Sequence, residues 1–526
     1  MSRGGQFRTV KTPKVRRNKM NMSHERRLTA DPFWLYPVLL EMCIPGDTWK
    51  LSNEMIVRMN PLVAPMMHEI NAYVHYYFVP FRLLWDQWED YITGGRDGKF
   101  TADLPLWHPD TSGQAPDWTV GSLWDYMFGH ALPTLDQDEP AKYPLAFPLR
   151  AYNLIWNEYY RDQNIVEELD INLQDTVNKG LLRRAWQKDY FTSALPWQQR
   201  GIAPAISLSD DLHLEYPLTP NDYMVGPATQ YVFERRDGTS TTGYFGVGDS
   251  TISATGTADR LKAYLDSAKL ASGSQPSFDV SELRLVFQLQ KFLERNARSG
   301  ARYVEFLKAH FPAWPRDDRL NRPEYIGGSK TPIIVSEVLQ TSSSDGTSPQ
   351  GNMAGHGISA DRTYCGTYRV QEHGLILGLL SFLPKAMYQQ GIDRQWLVES
   401  KYDFYFPEFS ALSEQAIFTP EIYNVSPAPV DNVFGYQGRY DEYRFRRSMV
   451  HSLFRTDFQH WHMGRVFATA PSLNYNFIYP SIAEIESLKR VMAVPTEPMF
   501  LVALGNRNTA IRPMPWIAEP GLIDHF

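Results

Sequence analysis

The segment INAYVHYYF, residues 70–78, constrains the fold of this chain more than any other. Apolar and aromatic residues recur in it with a period of two, which predicts a β-strand whose two faces are both largely covered. The segment EHGLILGLLSFLP, residues 372–384, is nearly continuous apolar, predicts a second covered strand and lies far downstream. Because covered strands need neighbours, sheet partners in this fold must come from distant parts of the chain.

The other strand-like segments divide in the same way, into a group before residue 80 and a group after residue 330. In the first group, two strand-like runs flank a turn signal at residues 45–47. The second group contains KTPIIVSEVLQTS, RYDEYRFRRSMV and EPMFLVALGN. This split distribution predicts a Greek-key sandwich or a jelly roll with very long loops.

The long intervening stretches predict a few helices and large aromatic contacts. Apolar side chains recur at helical spacing in residues 148–162, after residue 279 and in residues 303–311. The chain has 29 Tyr, 28 Phe and 14 Trp among 526 residues, a load that suits a β-rich globular protein with large buried contacts. No apolar run is long enough for a transmembrane helix, and no secretory signal begins the chain.

Charge is distributed unevenly along the chain. Residues 1–27 carry one acid and nine cations, namely Arg3, Arg8, Lys11, Lys14, Arg16, Arg17, Lys19, Arg26 and Arg27. Nine minus one leaves +8 there, so a net charge of −7 leaves −15 for the remainder. A basic arm on an acidic body predicts a polyanionic partner for the arm, the alternative being a solvated tail. Since Phe7 is its sole aromatic residue, the arm is expected to contact phosphates without reading sequence.

Two further segments have distinctive compositions. In residues 237–257, 14 of 21 residues are Gly, Ser or Thr, which predicts a polar loop that leaves the body of the protein. The chain closes on RPMPWIAEPGLIDHF, which is stiffened by proline and rich in apolar side chains. This tail packs either on its own domain or on a neighbouring molecule, and the sequence leaves both open.

Signals for catalysis, cofactors or metals are weak. The glycine-rich GYFGVGD has no strand before it and no helix after it, as a phosphate-binding loop requires. His460 and His462 in HWH have the spacing of metal ligands on a strand, but no third ligand stands at a diagnostic offset. Cys365 with His356 or His373 is a weak nucleophile candidate. We therefore predict no catalytic, cofactor-binding or metal-binding residues. Two cysteines, Cys43 and Cys365, are too few for a disulfide framework and favour folding in a reducing compartment.

Several long motifs resemble one family. They are MSHERRLTAD, GDTWKLSNEMIVRMNPLVAPMMHEINAYVHYYFVPFRLLWDQWEDYITGG, KDYFTSALPWQQRG, RPEYIGG, VLQTSSS followed by PQGNMAGHG, EHGLILGLLSFLPKAMYQQGIDR and RPMPWIAEPGLIDHF. Together they are similar to the major capsid protein of microviruses, most of all its gokushovirus-like branch. The resemblance runs from about residue 23 to residue 526 and is weakest in the arm and in residues 203–278.

The resemblance implies a mainly β fold, an eight-stranded jelly roll of the viral capsid type with long loop insertions and no enzymatic activity. Its expected layout is a disordered inward-facing arm at residues 1–22 and one capsid domain at residues 23–526. Insertions are expected at about residues 93–200 and at residues 203–278, the latter an outward protrusion, with an extended C-terminal arm at about residues 505–526. The alternatives are a polyanion-binding enzyme and a carbohydrate-binding β-sandwich protein.

The implied partners are further copies of the chain in a sixty-copy T=1 shell, a circular single-stranded DNA genome, a small basic DNA-binding virion protein and a host receptor. The shell would assemble in the bacterial cytoplasm without membrane insertion. The predicted DNA contacts are Arg3, Arg8, Lys11, Lys14, Arg16, Arg17 and Lys19. The predicted inter-subunit anchors are Trp516 and Phe526, and the predicted host-facing residues are Tyr244 and Phe245.

Overall fold

The computed structural model describes residues 16–97, 99–108, 119–129, 142–171, 180–201, 280–299, 316–317, 321–339, 353–427 and 429–517, together with residues 204 and 309 and short strands between residues 214 and 270. The chain divides into two compact units, residues 201–295 and the remainder. Among the described helices, none has the length and apolar character that crossing a membrane requires.

Most regular structure is β. The strands are β1 (Asn18–Asn21), β2 (His24–Ala30), β3 (Tyr36–Cys43), β4 (Thr48–Met59), β5 (Ile70–Pro80), β6 (Leu214–Glu215), β7 (Met224–Val225), β8 (Tyr231–Glu234), β9 (Ser240–Gly243), β10 (Lys269–Leu270), β11 (Glu324–Leu339), β12 (Met353–Arg369), β13 (Gly374–Pro384), β14 (Glu414–Phe418), β15 (Val433–Gly438), β16 (Phe500–Asn506) and β17 (Thr509–Arg512).

The described helices are short apart from one. They are α1 (Trp88–Thr93), α2 (Leu123–Phe128), α3 (Phe147–Ile155), α4 (Val280–Ser299), α5 (Thr419–Ile422), α6 (Tyr475–Ile478) and α7 (Ile482–Leu488). A π-helical turn, Trp156–Tyr160, continues α3. Short 3-10 turns span Phe81–Leu83, Arg394–Trp396, Pro407–Ala411, Asp441–Tyr443, Ser452–Arg455, Gln459–Trp461 and Lys489–Val491.

Eight of the described strands pair in a nested order that spans the chain. The first pairs with the last, β2 with β16, and the second with the seventh, β3 with β13. The third pairs with the sixth, β4 with β12, and the fourth with the fifth, β5 with β11. Further pairing of β16 with β4 and of β13 with β5 completes two antiparallel four-stranded sets. This is the strand order of a jelly roll, and the predicted fold is confirmed.

The two sets join into one curled sheet of ten strands. β11 pairs with β5 through residue Ile333 and with β12 from residue Ile334 onward, so this strand passes from one set to the other. The inner faces of the two sets pack against each other, as shown by the Phe382 and Phe500 rings, whose centroids are 4.2 Å apart. The Asn506 side chain also donates to the Val38 carbonyl at 2.9 Å, which ties β16 to β3 inside the core.

The predicted covered strands are confirmed. All 11 residues of β13 are buried, and β5 has nine of its 11 residues buried, which explains why neither segment shows a polar face. The turn at residues 45–47 joins β3 to β4, and EPMFLVALGN contains β16. The helix predicted at residues 148–162 ends as α3 at Ile155 and continues as the π-helical turn.

The strand predicted in RYDEYRFRRSMV was wrong. Tyr440 has a left-handed φ of 65°, after which Asp441–Tyr443 forms a 3-10 turn. Aromatic residues of this segment lie in solvent rather than in a sheet, since Tyr443 and Phe445 are both at least half exposed.

The longest connections leave the sheet at two places. One runs from β5 to β11 through residues 81–323, and the other runs from β13 to β16 through residues 385–499. Inside the first, described residues of the unit 201–295 form the pair β6–β10 and the three-stranded sheet β7–β8–β9. The second connection carries the hairpin β14–β15.

Candidate functional site

The two ends of the described chain meet at one corner of the sheet. β1 pairs with β17 so that Asn18 faces Arg512 and Asn21 faces Thr509, and β17 also pairs with the start of β4. The Asn18 amide donates to the Met514 carbonyl at 2.7 Å. The end of the basic arm and the start of the aromatic tail are therefore neighbours in space.

A buried ion pair holds this corner together. Asp47, in the turn between β3 and β4, is fully buried and lies 3.3 Å from the Arg512 guanidinium. The same guanidinium lies over the buried Trp49 ring at 5.0 Å and donates to the Met42 carbonyl at 3.0 Å. Because the Arg512 charge offsets that of a buried carboxylate, the ion pair favours the observed register of the last strand against the start of β4.

Of the seven predicted DNA-contacting cations, three lie at this corner and four lie outside the described residues. Arg17 donates to the Gly46 carbonyl, and Arg16 and Lys19 are exposed beside it. Residues 18–21, which we assigned to the disordered arm, instead form β1, because β17 offers them a strand edge. Four further predicted cations lie outside the described residues: Arg3, Arg8, Lys11 and Lys14.

The predicted tail anchor Trp516 lies just beyond this corner. Its side chain is 64% exposed, and neighbouring Ile517 is 69% exposed. The second predicted anchor, Phe526, lies outside the described residues, as do the predicted host-facing Tyr244 and Phe245. The described part of the tail thus presents apolar side chains to solvent next to residues 16–21, where the basic arm ends.

The weak metal and nucleophile candidates do not form sites. HWH lies at the 3-10 turn Gln459–Trp461 rather than on a strand. The ring of His462 is buried, with Nε2 2.7 Å from the Phe454 carbonyl and Nδ1 accepting from the Gly464 amide at 2.9 Å. Both ring nitrogens are occupied, and the described residues hold no cluster of three metal-ligand side chains. Burial raises the pKa of the Cys365 thiol to about 11, so the thiol is protonated at neutral pH.

A second candidate surface, which the sequence patterns did not single out, lies in the β13–β16 connection. Residues 399–412, with sequence ESKYDFYFPEFSAL, form a surface loop that we call the aromatic loop. Tyr402, Phe404 and Tyr405 are each more than half exposed, and Phe406 is 43% exposed. Tyr443 extends this surface, since it is half exposed and its ring centroid lies 6.4 Å from that of Tyr405.

Hydrogen bonds from Tyr440 and Arg439 hold the backbone of the aromatic loop. The buried Tyr440 hydroxyl donates to the Phe404 carbonyl at 3.1 Å and accepts from the Phe406 amide at 3.4 Å. The Arg439 guanidinium donates to the Tyr402 carbonyl at 3.2 Å and lies over the Tyr440 ring at 4.7 Å. These contacts fix the backbone at the positions whose rings point outward.

The first turn of the aromatic loop is also closed. The Asp403 carboxylate accepts from the Ser400 amide at 2.8 Å, the Ser400 hydroxyl at 3.0 Å and the Glu399 amide at 3.3 Å. Burial acts to raise the pKa of Asp403, but these hydrogen bonds outweigh it and the pKa is lowered. The carboxylate therefore stays charged and keeps the turn closed at neutral pH.

One feature of the sequence indicates this surface, namely the density of its aromatic residues. YDFYFPEF, residues 402–409, contains five aromatic rings in eight positions, a density that neither a helix nor a strand period explains. Aromatic density alone does not reveal whether the rings face the core or solvent. That distinction required the observed position of Tyr440 under the loop.

The fold and these surfaces define a class of protein: a jelly-roll structural protein whose outer surface presents apolar side chains for association, the kind of unit from which virus shells are built. The particular family follows from comparison with known proteins. The family described as "Capsid protein (F protein)" matches residues 8–522, and this chain belongs to it.

Curated relatives agree over the full length. The chain is 34% identical to the capsid protein VP1 of Chlamydia phage 1, covering 98% of this chain and 97% of that protein. It is 33% identical to the capsid protein VP1 of Bdellovibrio phage phiMH2K, covering 100% and 99%. It is 26% identical to the capsid protein VP1 of Spiroplasma virus 4, covering 98% and 97%.

Membership of this family decides between the functional classes that the sequence left open. The protein is a structural capsid subunit of phage virions and not an enzyme, and it assembles with copies of itself into a shell. The predicted resemblance to microvirus capsid proteins is confirmed.

Proposed function

We propose that this subunit forms a sixty-copy T=1 icosahedral shell around a circular single-stranded DNA genome, with its N-terminal arm directed inward onto the DNA. One observation carries the proposal. Nine cations and one acid occupy residues 1–27 of a chain whose remainder is acidic, and β1 anchors this basic segment to the shell fold. Residues 1–15 precede the anchor, so their cations can reach phosphates without disturbing the sheet.

The arms neutralise part of such a genome. Sixty arms of about +8 carry about 480 positive charges. Coding for 526 residues already takes 1578 nucleotides, the product of 526 and 3. We infer that a small basic DNA-binding virion protein supplies further positive charge.

The remaining surfaces take roles that follow from their composition. The Gly-, Ser- and Thr-rich residues 237–257, including Tyr244 and Phe245, form a host-facing part of the outward insertion at residues 203–278. The C-terminal arm, through Trp516 and Phe526, packs on an adjacent subunit, since the exposed Trp516 has apolar area to bury there.

Replacing Arg3, Arg8, Lys11 and Lys14 together by Gln tests the arm directly. Shells are expected to form, because β1 is untouched, but they should retain less DNA. Each lost phosphate contact lowers the salt dependence of single-strand binding by about 0.7, so four contacts remove about 3 from the slope of log K against log salt. Sedimentation gives particle yield, and the ratio of absorbance at 260 and 280 nm gives DNA content.

A charge-preserving variant provides the matched control. Arg3→Lys, Arg8→Lys, Lys11→Arg and Lys14→Arg keep every charge and should package like the parent, since phosphate binding here depends on charge rather than on side-chain shape. If the Gln variant retains as much DNA as the parent, the inward basic arm is wrong.

A further inference from the structure

The aromatic loop exposes more apolar surface to water than is usual for a protein that functions as a monomer. Four of its rings stand between 43% and 56% exposed within five consecutive residues, 402–406. Contiguous exposed apolar patches of this kind mark interaction sites, and Tyr and Phe are enriched in the buried centre of protein interfaces. A partner that covers the loop would remove these rings from water.

The loop is also ordered before any partner arrives. Tyr440 fixes the backbone at Phe404 and Phe406, and Asp403 closes the turn that precedes them. Because the backbone is already held, docking loses little conformational entropy and the rings act as rigid anchors.

Charge narrows the identity of the occupant. Residues 399–412 contain three acids, Glu399, Asp403 and Glu408, and one cation, Lys401. Arg439, which donates to the Tyr402 carbonyl, and the exposed Arg444, next to Tyr443, border the same rings, so the charge of this surface is mixed. A phosphate backbone is uniformly anionic and would meet the acids as well as the arginines, whereas a protein surface can complement both. A protein surface that combines apolar side chains with arginine fits this loop.

A copy of this chain offers a surface of that chemistry. A groove of about 850 Å³ beside β2, β4 and β16 is lined by Arg27 and Arg58 and also by Asp125, so it too carries both charges. Between the two arginines on the same face lie Ile56 and Leu501, which are 45% and 42% exposed. The apolar floor can receive rings, and the arginines complement the acids of the loop.

We propose that the aromatic loop is a docking surface for a second copy of this chain, and that its rings are buried against the neighbouring subunit in the assembled shell. Loop and receiving surface differ, so the contact is heterologous, and in the proposed closed shell it repeats around a rotational symmetry axis. The inference deepens the proposed function and rests on the proposed shell.

Assembly of a loop variant tests the proposal. The triple change Phe404→Ser, Tyr405→Ser and Phe406→Ser should raise the subunit concentration needed for particles by at least about 30-fold, since anchors of this size dominate interfaces. Tyr364→Ser, at a ring that is 62% exposed on β12, is the matched control and should assemble like the parent. Sedimentation velocity over a concentration series measures both.

The outcomes separate the two proposals. If parent and control assemble and the triple variant assembles equally well, the docking loop is wrong while the shell stands. If the parent itself forms no closed particle, the proposed shell is wrong, and the docking inference falls with it.

Thiol labelling gives a readout that does not depend on the triple variant folding. Cys43 and Cys365 are both buried, so a Tyr405→Cys variant has one accessible thiol among the described residues. Maleimide should label this thiol at least about tenfold more slowly in particles than in subunits dissociated from the same particles. Equal rates would overturn the proposal. A photoreactive maleimide at the same position should crosslink to a second copy, and crosslinking to DNA alone would equally overturn it.

Discussion

Two aromatic clusters of this protein contain similar residue types but differ in how far the chain covers their rings. One covers the outer face of β5, β11 and β13, and we call it the tyrosine cluster; its rings are Tyr73, His75, Tyr77, Tyr159, Tyr160 and Tyr325. The other is the aromatic loop. Apart from Tyr325, which is 47% exposed, the rings of the tyrosine cluster are buried or half-buried by their own chain, whereas the aromatic loop is supported by its own chain and left open.

The tyrosine cluster uses its polar atoms internally. The Tyr77 hydroxyl donates to the Tyr160 hydroxyl at 3.1 Å, which lies 2.8 Å from Nδ1 of His75. The Arg184 guanidinium lies over the Tyr73 ring at 4.5 Å and also over Tyr160. Hydrogen bonds and cation–π contacts thus join the π-helical turn and the segment around Arg184 to the sheet.

The close approach of the rings requires a glycine on β11. Gly328 lies opposite His75 in the sheet. A Cβ atom at Gly328 would lie 2.7 Å from the His75 ring and 2.9 Å from the Tyr325 hydroxyl. The absence of a side chain there therefore lets both rings lie against the same strand.

In the aromatic loop the polar groups of the chain hold the backbone and leave the rings outside. Tyr440 donates to a backbone carbonyl of the loop, whereas Tyr77 donates to another side chain of its cluster. From this difference we infer that aromatic residues indicate an interface when their backbone is fixed and their rings remain uncovered. Composition alone does not distinguish the two arrangements.

The largest expected effect on folding is in the tyrosine cluster. Tyr77 is 2% exposed, and Tyr77→Ala removes its ring contact with Tyr159 as well as its hydrogen bond. We expect the free energy of unfolding to fall by about 3–5 kcal/mol, the range for truncating buried aromatic side chains. Urea unfolding of dissociated subunits measures this. A loss below about 1 kcal/mol would mean that the cluster does not hold the insertion on the sheet.

A smaller effect depends on pH. Burial, and then the charge of Arg184, lowers the pKa of His75 to about 3, from about 6.5 in an unfolded chain. Below pH 6.5 the unfolded state therefore binds a proton that the folded state refuses, so stability falls as pH drops through this window. At pH 5 the loss from this residue is about 2 kcal/mol.

Comparison with His75→Gln isolates that loss. The variant lacks the titrating ring, so its unfolding free energy should depend less on pH between 7 and 5 than that of the parent. Burial also lowers the pKa of His68, to about 4, but this contribution is common to both proteins and cancels. Identical pH profiles for parent and variant would show that His75 titrates normally in the fold.

The smallest expected effect on folding is in the aromatic loop. Tyr405→Ser in the dissociated subunit should change the free energy of unfolding by less than about 0.5 kcal/mol, because the ring is 52% exposed and its backbone is held by other residues. The same urea titration applies. A loss comparable to that of Tyr77→Ala would mean that both clusters stabilise the subunit, and the comparison would fail.

Local sequence patterns predicted the covered strands but not their pairing. Period-two and continuous apolar patterns located β5 and β13, because burial on both faces leaves a direct mark on residue type. These local patterns did not predict the nested pairing order, because β2 pairs with a strand near the other end of the chain. The strand predicted in residues 439–450 was wrong because aromatic residues, which are common in strands, lie here in an exposed turn.

The candidate surfaces were predictable to different degrees. Charge counting located the basic arm, yet its position beside the tail follows only from the pairing of Asn18 with Arg512. Residue types likewise give no sign that Arg512 is bound to the buried Asp47. The aromatic loop escaped prediction because exposure of a ring is set by what the rest of the chain leaves uncovered, which is a property of the fold.

Electron cryomicroscopy of purified particles tests the division between the two clusters most directly. If the aromatic loop docks on a neighbouring subunit, we expect density from that subunit over Tyr405 and Phe406. Both rings should then be less than about 10% exposed in the shell. The tyrosine cluster should keep the ring contacts of the isolated subunit. Rings of the aromatic loop that stand in solvent on the closed particle, with no neighbouring chain in contact, would contradict this division.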